Sequence, residues 1–524
     1  MMTEYFQPDN QPRNLHNALQ YNSEGKVEMR VESRQDPAES YNVHVDNQDP
    51  IPVTLGSETI TIIGNITIPT TVNVASSPTD PVHVHVTEVG TSGLLDVPYM
   101  PVGMVGNVNT TITNTPTVTL GSGSTDAFGR LRTSSPFTLF DSFHRYQDNG
   151  KITEYTAGGG SSTFNSNAGC IDVTVTGTLG SLVYRESSRV FSYQPGKSLL
   201  ITQSFCMAPG VVGLRQRHGY FDTASGFYLE LDGTTLNLVR RSSVTGVLQE
   251  TRVPQSQWNT DTLGAGVLNP SGITLDITRD QILFTDIEWL GVGTGRMGFV
   301  INGEFVTCHA FNHANLPSTP TSDTTLPYMI TACLPVRAEI ENTGNTGIIS
   351  TYRIICTSVI SEGGYELRGR PLSVGHALNT SYTLATRYQL YPILSIRLKP
   401  TRLGAVVIPR NFSLAVGSSA NYRFTLISGG VTSGGAGWVD AAANSSVQYK
   451  LDATSIVGGT ILEMGYITAT NQSSVSPSLA DYPFKFQLER DTFTNTPYEF
   501  TLCCASDSNS GPKVWSSINW EELT

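Results

Sequence analysis

From Ile60 onward the apolar residues fall on even positions, Ile60, Ile62, Ile66, Ile68, Val72 and Val74, while Thr59, Thr61, Asn65, Thr67, Thr71 and Asn73 hold the odd ones. The parity returns with Val82, Val84 and Val86, and again with Val102, Met104, Val108, Ile112, Val118 and Leu120. Alternation of period two is the pattern of a strand with one buried face, and it argues against a helix, whose apolar stripe recurs every three to four residues. Large side chains are scarce here, so one copy buries little. At about 25 cal/mol per Å², scattered Val and Ile cannot offset an ordering cost of about 1–2 kcal/mol per residue. Residues 51–125 are therefore expected to form an extended β arm or shaft that borrows its apolar surroundings. Sister chains wound together could share a seam of Ile60, Ile62, Ile66, Ile68, Val72, Val74, Val108 and Ile112, or the arm could lie along another protein.

Residues 1–50 are polar and poor in aliphatics, a composition expected to be disordered alone and suited to an anchoring segment. The arm ends in Asp126-Ala-Phe-Gly-Arg-Leu-Arg-Thr133. There Gly129 offers a turn between aromatic Phe128 and the cations Arg130 and Arg132, a junction where an arm docks on a globular body. Beyond it the chain reads as two antiparallel β-sandwiches of jelly-roll or lectin-like type, residues 126–370 and 371–524. Asp232-Gly233 and Asn302-Gly303 stand between alternating apolar runs and predict two tight hairpins. Further strands are expected at 171–175, 199–205, 282–289, 337–340 and 353–360, then at 389–398, 405–408, 422–427, 447–451, 461–469, 484–488 and 498–503. Trp438, Trp515 and Trp520 are candidates for core anchors or a subunit contact. The fold class is all-β.

Charged residues make up only 15% of the chain, below the roughly 25% usual in soluble domains. The surface is thus carried by hydroxyls and amides, as where partner subunits cover large areas. A net charge of −12 gives no basic face for a nucleic acid. The seven cysteines form an odd set without CxxC spacing, so reduced, buried thiols and assembly in a cytoplasm are expected. The opening residues lack a secretory pattern, and no window has the run of about 18 apolar residues of a membrane span.

Chemistry is sparse. His83 and His85 share one strand face, but two imidazoles fall short of a metal site and stack more naturally between symmetry-related chains. His309 and His313 lack the adjacent Glu of a zinc hydrolase and read as hydrogen-bonded loop residues. Asp276, Asp280, Asp286 and Glu288 are the densest carboxylates, yet glycoside hydrolysis needs two of them facing across a cleft about 5–9 Å apart. Trp258, Trp289, Tyr220 and Tyr228 could stack sugar rings, although aromatics in a sandwich usually fill its core. No nucleophile elbow, phosphate loop or dinucleotide fingerprint occurs, and no catalytic residue, metal or cofactor is implied.

Several runs nevertheless carry a resemblance. Asp126-Ala-Phe-Gly-Arg-Leu-Arg-Thr133 with Phe137-Thr-Leu-Phe-Asp-Ser142 belongs to it, as does Gly298-Phe-Val-Ile-Asn-Gly-Glu-Phe305 with His309-Ala-Phe-Asn-His-Ala-Asn315. So do Arg337-Ala-Glu-Ile-Glu-Asn-Thr-Gly344 and Ser361-Glu-Gly-Gly-Tyr365. Together they resemble virion structural proteins of tailed bacteriophages, a group frequent in phages of aquatic bacteria, over roughly residues 120–370. The resemblance implies a fibre or decoration protein of the virion. Its partners would be other head, neck or tail proteins, and host-surface glycan is a further candidate. It carries over no active site. With the arm, it points to a homo-oligomer, a trimer being the symmetry in which one seam is shared.

Overall fold

The computed structural model of the chain describes residues 135–320, 322–469 and 486–523, with the strands Leu19–Tyr21, Val27–Glu32, Ser40–Val45 and Ser473–Val475. The arm seam, the junction residues Phe128, Gly129, Arg130 and Arg132, and His83 and His85 lie outside the described residues. The chain separates into two units, Met1–Arg130 and Leu131–Thr524. The first holds an antiparallel three-stranded sheet within the segment expected to be disordered alone. Its register sets Val27 opposite Val45, Met29 opposite Val43 and Val31 opposite Tyr41. A local period-two pattern there outweighs the polar average of residues 1–50.

In the second unit every paired strand is antiparallel and the class is all-β. The first sandwich is built from Phe137–Ser361. Its seven-stranded sheet runs Gln249–Pro254, Thr235–Ser242, Gly226–Asp232, Leu214–Phe221, Val336–Asn342, Leu182–Ser187, Ile152–Ala157. Its eight-stranded sheet runs Glu304–Phe311, Gly295–Ile301, Gln281–Ile287, Leu199–Cys206, Ser350–Ser361, Cys170–Val175, Ser161–Asn165, and Phe137–Phe143 also pairs with Ser350–Ser361. Phe227, Leu229, Leu238 and Ile340 from one sheet meet Ile201, Phe205, Leu283 and Phe299 from the other in a single buried core. The expected hairpins are present, one of them shifted. Ile301 pairs with Glu304, and both Asn302 and Gly303 take positive φ, as a type I′ turn requires. Asp232, by contrast, pairs with Thr235 and ends its strand, so Gly233 and Thr234 make the turn and only Gly233 has positive φ.

The outward face of the seven-stranded sheet carries a lattice of ion pairs. Arg217 bonds Glu230 at 2.8 Å and Glu339 at 3.2 Å. Arg252 reaches Glu230 at 2.7 Å, Arg241 reaches Glu250 at 2.7 Å, and Arg337 joins Glu186 at 2.7 Å to Glu339 at 2.6 Å. Burial works against the charge of Glu250, but hydrogen bonds from Tyr228 and Arg241 hold its carboxyl down at about 2.

The second sandwich uses Arg370–Leu523. Lys513–Leu523 lies between Val406–Val416 and Arg370–Gly375 in one sheet, and Phe500–Ser506 lies between Tyr391–Leu398 and Ala420–Ser428 in the other. Ile396, Leu414, Leu426, Leu502, Ile518 and Trp520 fill its core. Trp520 is the core anchor, whereas Trp438 lies under the Arg397 guanidinium at 4.2 Å and Trp515 donates to the Leu378 carbonyl. Residues 486–488, expected within a strand, form instead an irregular strap that docks on the first sandwich. Gln487 donates to the Val190 carbonyl at 2.9 Å, and the buried Arg490 bonds Glu186 at 3.0 Å and the Ser187 carbonyl at 2.6 Å. Phe493 packs against Tyr155, Tyr184 and the Arg337 guanidinium. The seven cysteines are free; four are buried, but Cys356 is exposed, against the expectation of burial throughout.

Candidate functional site

Four connections from both sheets of the first sandwich line one depression of about 390 Å³. Pro195 comes from the loop before Leu199–Cys206, Val244 from the turn after Thr235–Ser242, Trp289, Leu290 and Gly291 from the loop after Gln281–Ile287, and Pro327, Met329 and Ile330 from the long connection before Val336–Asn342. The 289–291 loop is pinned by its backbone: Gly293 donates to the Trp289 carbonyl at 2.7 Å, and Tyr328 donates to the Gly291 carbonyl at 2.9 Å. The Leu290 N–H donates to the Tyr193 hydroxyl at 3.1 Å, and the Trp289 ring meets Tyr193 edge-on at 5.7 Å.

Of the four aromatics the sequence offered for stacking, only Trp289 reaches this surface. Trp258 is core, its indole N–H donating to the Val253 carbonyl. Tyr220 is core and donates to the Ala332 carbonyl at 2.8 Å. Tyr228 is buried in the ion-pair lattice, bonded to Glu250 at 2.6 Å.

The carboxylates do not face one another as an acid and base. Asp286 is ion-paired with Arg296, and burial pushes the pKa of its carboxyl up from the ordinary aspartate value. Asp276 accepts from Thr278 and Arg279 in its own turn, while Asp280 and Glu288 are exposed. His309 lies within a strand rather than a loop, its Nδ1 accepting from the Asn259 N–H, and His313 bonds the Leu326 carbonyl at 2.7 Å. Among the described residues, no group of three or more His, Cys, Asp or Glu could hold a metal.

Two local costs mark the depression. Leu290 takes φ 40, a conformation that a branched side chain rarely adopts, and is nonetheless 62% exposed. The Trp289 indole N–H is buried without a partner. Ile330 beside them is 58% exposed. None of the lining side chains is charged, so the walls can offer stacking and apolar contact to an uncharged ligand. The sequence singled out Trp289 by residue type; the proline, valine and isoleucine walls come from loops up to 135 positions apart and carried no signal.

No family model and no curated protein matches the chain. Among solved structures it is similar to a carbohydrate esterase from the Shiga toxin-encoding bacteriophage phi24B, at 11% identity and TM-score 0.26, over 44% of this chain and 100% of that one. It is similar to peanut lectin at 13% identity and TM-score 0.24, over 44% of this chain and 98% of that one. An endo-β-1,4-glucuronan lyase from the fungus Trichoderma reesei aligns at 12% identity and TM-score 0.28, over 43% of this chain and 95% of that one.

Proposed function

We propose that the protein is a structural component of a tailed-phage virion, a fibre or decoration protein, whose first sandwich binds host-surface carbohydrate at the depression beside Trp289. The observation that carries the binding role is the placement of Trp289, half-buried in the wall of an uncharged depression into which four loops converge. The apolar face of a pyranose, or a methyl or acetamido group on it, packs against an indole and aliphatic walls of this kind. The virion role rests on the resemblance over residues 120–370 and on an arm too poor in large side chains to order itself.

The ion-paired Asp286 and the self-capped Asp276 support binding without cleavage. A hydrolase would release new reducing ends from envelope polysaccharide.

An array of bacterial surface glycans tests the binding role with the full chain. At least one neutral or N-acetylated glycan is expected to bind, and Trp289→Ala to weaken it at least tenfold, about 1.4 kcal/mol, in a chain that still unfolds cooperatively. Binding that survives the substitution would remove the site. The virion half requires the chain in purified particles and a trimeric mass in solution; a monomer absent from particles contradicts it.

A further inference from the structure

A second, smaller cavity lies between the two sheets of the first sandwich, with a volume of about 30 Å³. It sits where the strand Ser350–Ser361 bulges between Ile354 and Cys356, as its pairing passes from Cys170–Val175 to Phe137–Phe143. His218 comes to its wall from the seven-stranded sheet, and Gln203 from the eight-stranded sheet. Both are more than nine-tenths buried, and the His218 Nε2 and Gln203 Oε1 atoms have no hydrogen-bond partner. His144, also buried on this wall, leaves its Nδ1 unpartnered, 3.6 Å from the nearest Asp148 oxygen.

The orphaned atoms are chemically complementary. The Tyr352 hydroxyl bonds the His218 Nδ1. If the hydroxyl donates, Nδ1 is the lone-pair nitrogen and the proton of the neutral ring sits on Nε2, the atom left without a partner. Gln203 donates its amide to the Gly219 carbonyl at 3.3 Å, so its Oε1, which has no partner, is an acceptor. A buried donor and a buried acceptor that both lack partners cost free energy unless something joins them. The volume suits one water, which needs upwards of about 10–15 Å³ and two to four polar partners.

We infer that this cavity is a binding site for a single structural water, which accepts from His218 Nε2–H and donates to Gln203 Oε1. The His144 Nδ1 on the same wall faces the Asp148 carboxylate and stays outside this link. The water completes a hydrogen-bonded link across the core, from Tyr352 through His218 and Gln203 to the Gly219 carbonyl, tying the two sheets together beside the bulge. The site is independent of the carbohydrate depression.

A high-resolution crystal structure of the full chain, with nitrogen-15 spectra of the histidine rings, tests it. The expected result is one ordered density peak within hydrogen-bonding distance of His218 Nε2 and Gln203 Oε1, with His218 in the Nε2–H tautomer. Oxygen-17 relaxation dispersion should count one long-lived water fewer in Gln203→Leu than in the wild type. A dry cavity, a direct His218–Gln203 bond or an Nδ1–H tautomer would each overturn the inference. The wild-type measurements decide it even if the variant does not fold.

Discussion

His218 and His309 are uncharged inside the first sandwich. Burial pushes His218 down to about 3, and burial together with the nearby Arg240 charge pushes His309 down to about 4, from 6.5. Below 6.5 the unfolded chain takes up protons that the folded one refuses, so stability present above that pH is lost as pH falls towards these values. Each histidine is expected to contribute a slope of about 1.4 kcal/mol per pH unit. Urea midpoints between pH 6.5 and 4.5 measure it. His309→Gln, which keeps an acceptor for the Asn259 N–H, should flatten the curve by about one proton; an unchanged slope would contradict the assignment. Residue type singled out His309 in the sequence and passed over His218, and the protonation of neither was legible, because the groups that bury them come from other strands.

The two hairpins show how much of an element local chemistry can specify. Asn302-Gly303 could be read directly, since two adjacent residues tolerant of positive φ make a type I′ turn. Asp232-Gly233 could be located but not registered. One glycine at positive φ suffices for the observed turn, and Thr234 accepts the second position, so the pairing slides by one residue. Gly233→Ala is accordingly expected to cost about 1–2 kcal/mol, whereas Asp232→Ala, at a strand end, should cost under about 0.5 kcal/mol. Equal losses in denaturant midpoints would restore Asp232 to the turn. The ion-pair lattice was not legible at all. Alternation in Phe227-Tyr-Leu-Glu-Leu231 promised a buried and a wet face, yet Glu230 on the second face is fully buried because Arg217 from the adjacent strand and Arg252 from two strands away close over it.

Across the whole second unit, the two sandwiches are coupled by a short strap and by core residues they share. Arg490 and Glu186 are 304 positions apart and 2% and 1% exposed, and Val406 and Ile408 of the second sandwich enter the core cluster of the first. All-β architecture and two sandwiches could be read from alternation and turn signals, whereas a strap of irregular backbone has no period to betray it. Removing one partner of a buried ion pair strands the other, at about 3–5 kcal/mol. Arg490→Ala should fall at the low end because Arg337 still neutralises Glu186, and it should split a joint unfolding transition into two by calorimetry. A single transition at the wild-type temperature would mean that the strap does not couple the cores.

The central claim, that carbohydrate packs at Trp289, is tested most directly on that ring. In a chain labelled with nitrogen-15 at tryptophan, the indole signal assigned through Trp289→Phe should shift as a bound oligosaccharide is titrated in. Those of Trp258 and Trp520, whose N–H groups are held by the Val253 carbonyl and Glu522, should stay in place. A glycan that binds while the Trp289 signal stands still, or a surface-glycan panel from which nothing binds, would contradict the account.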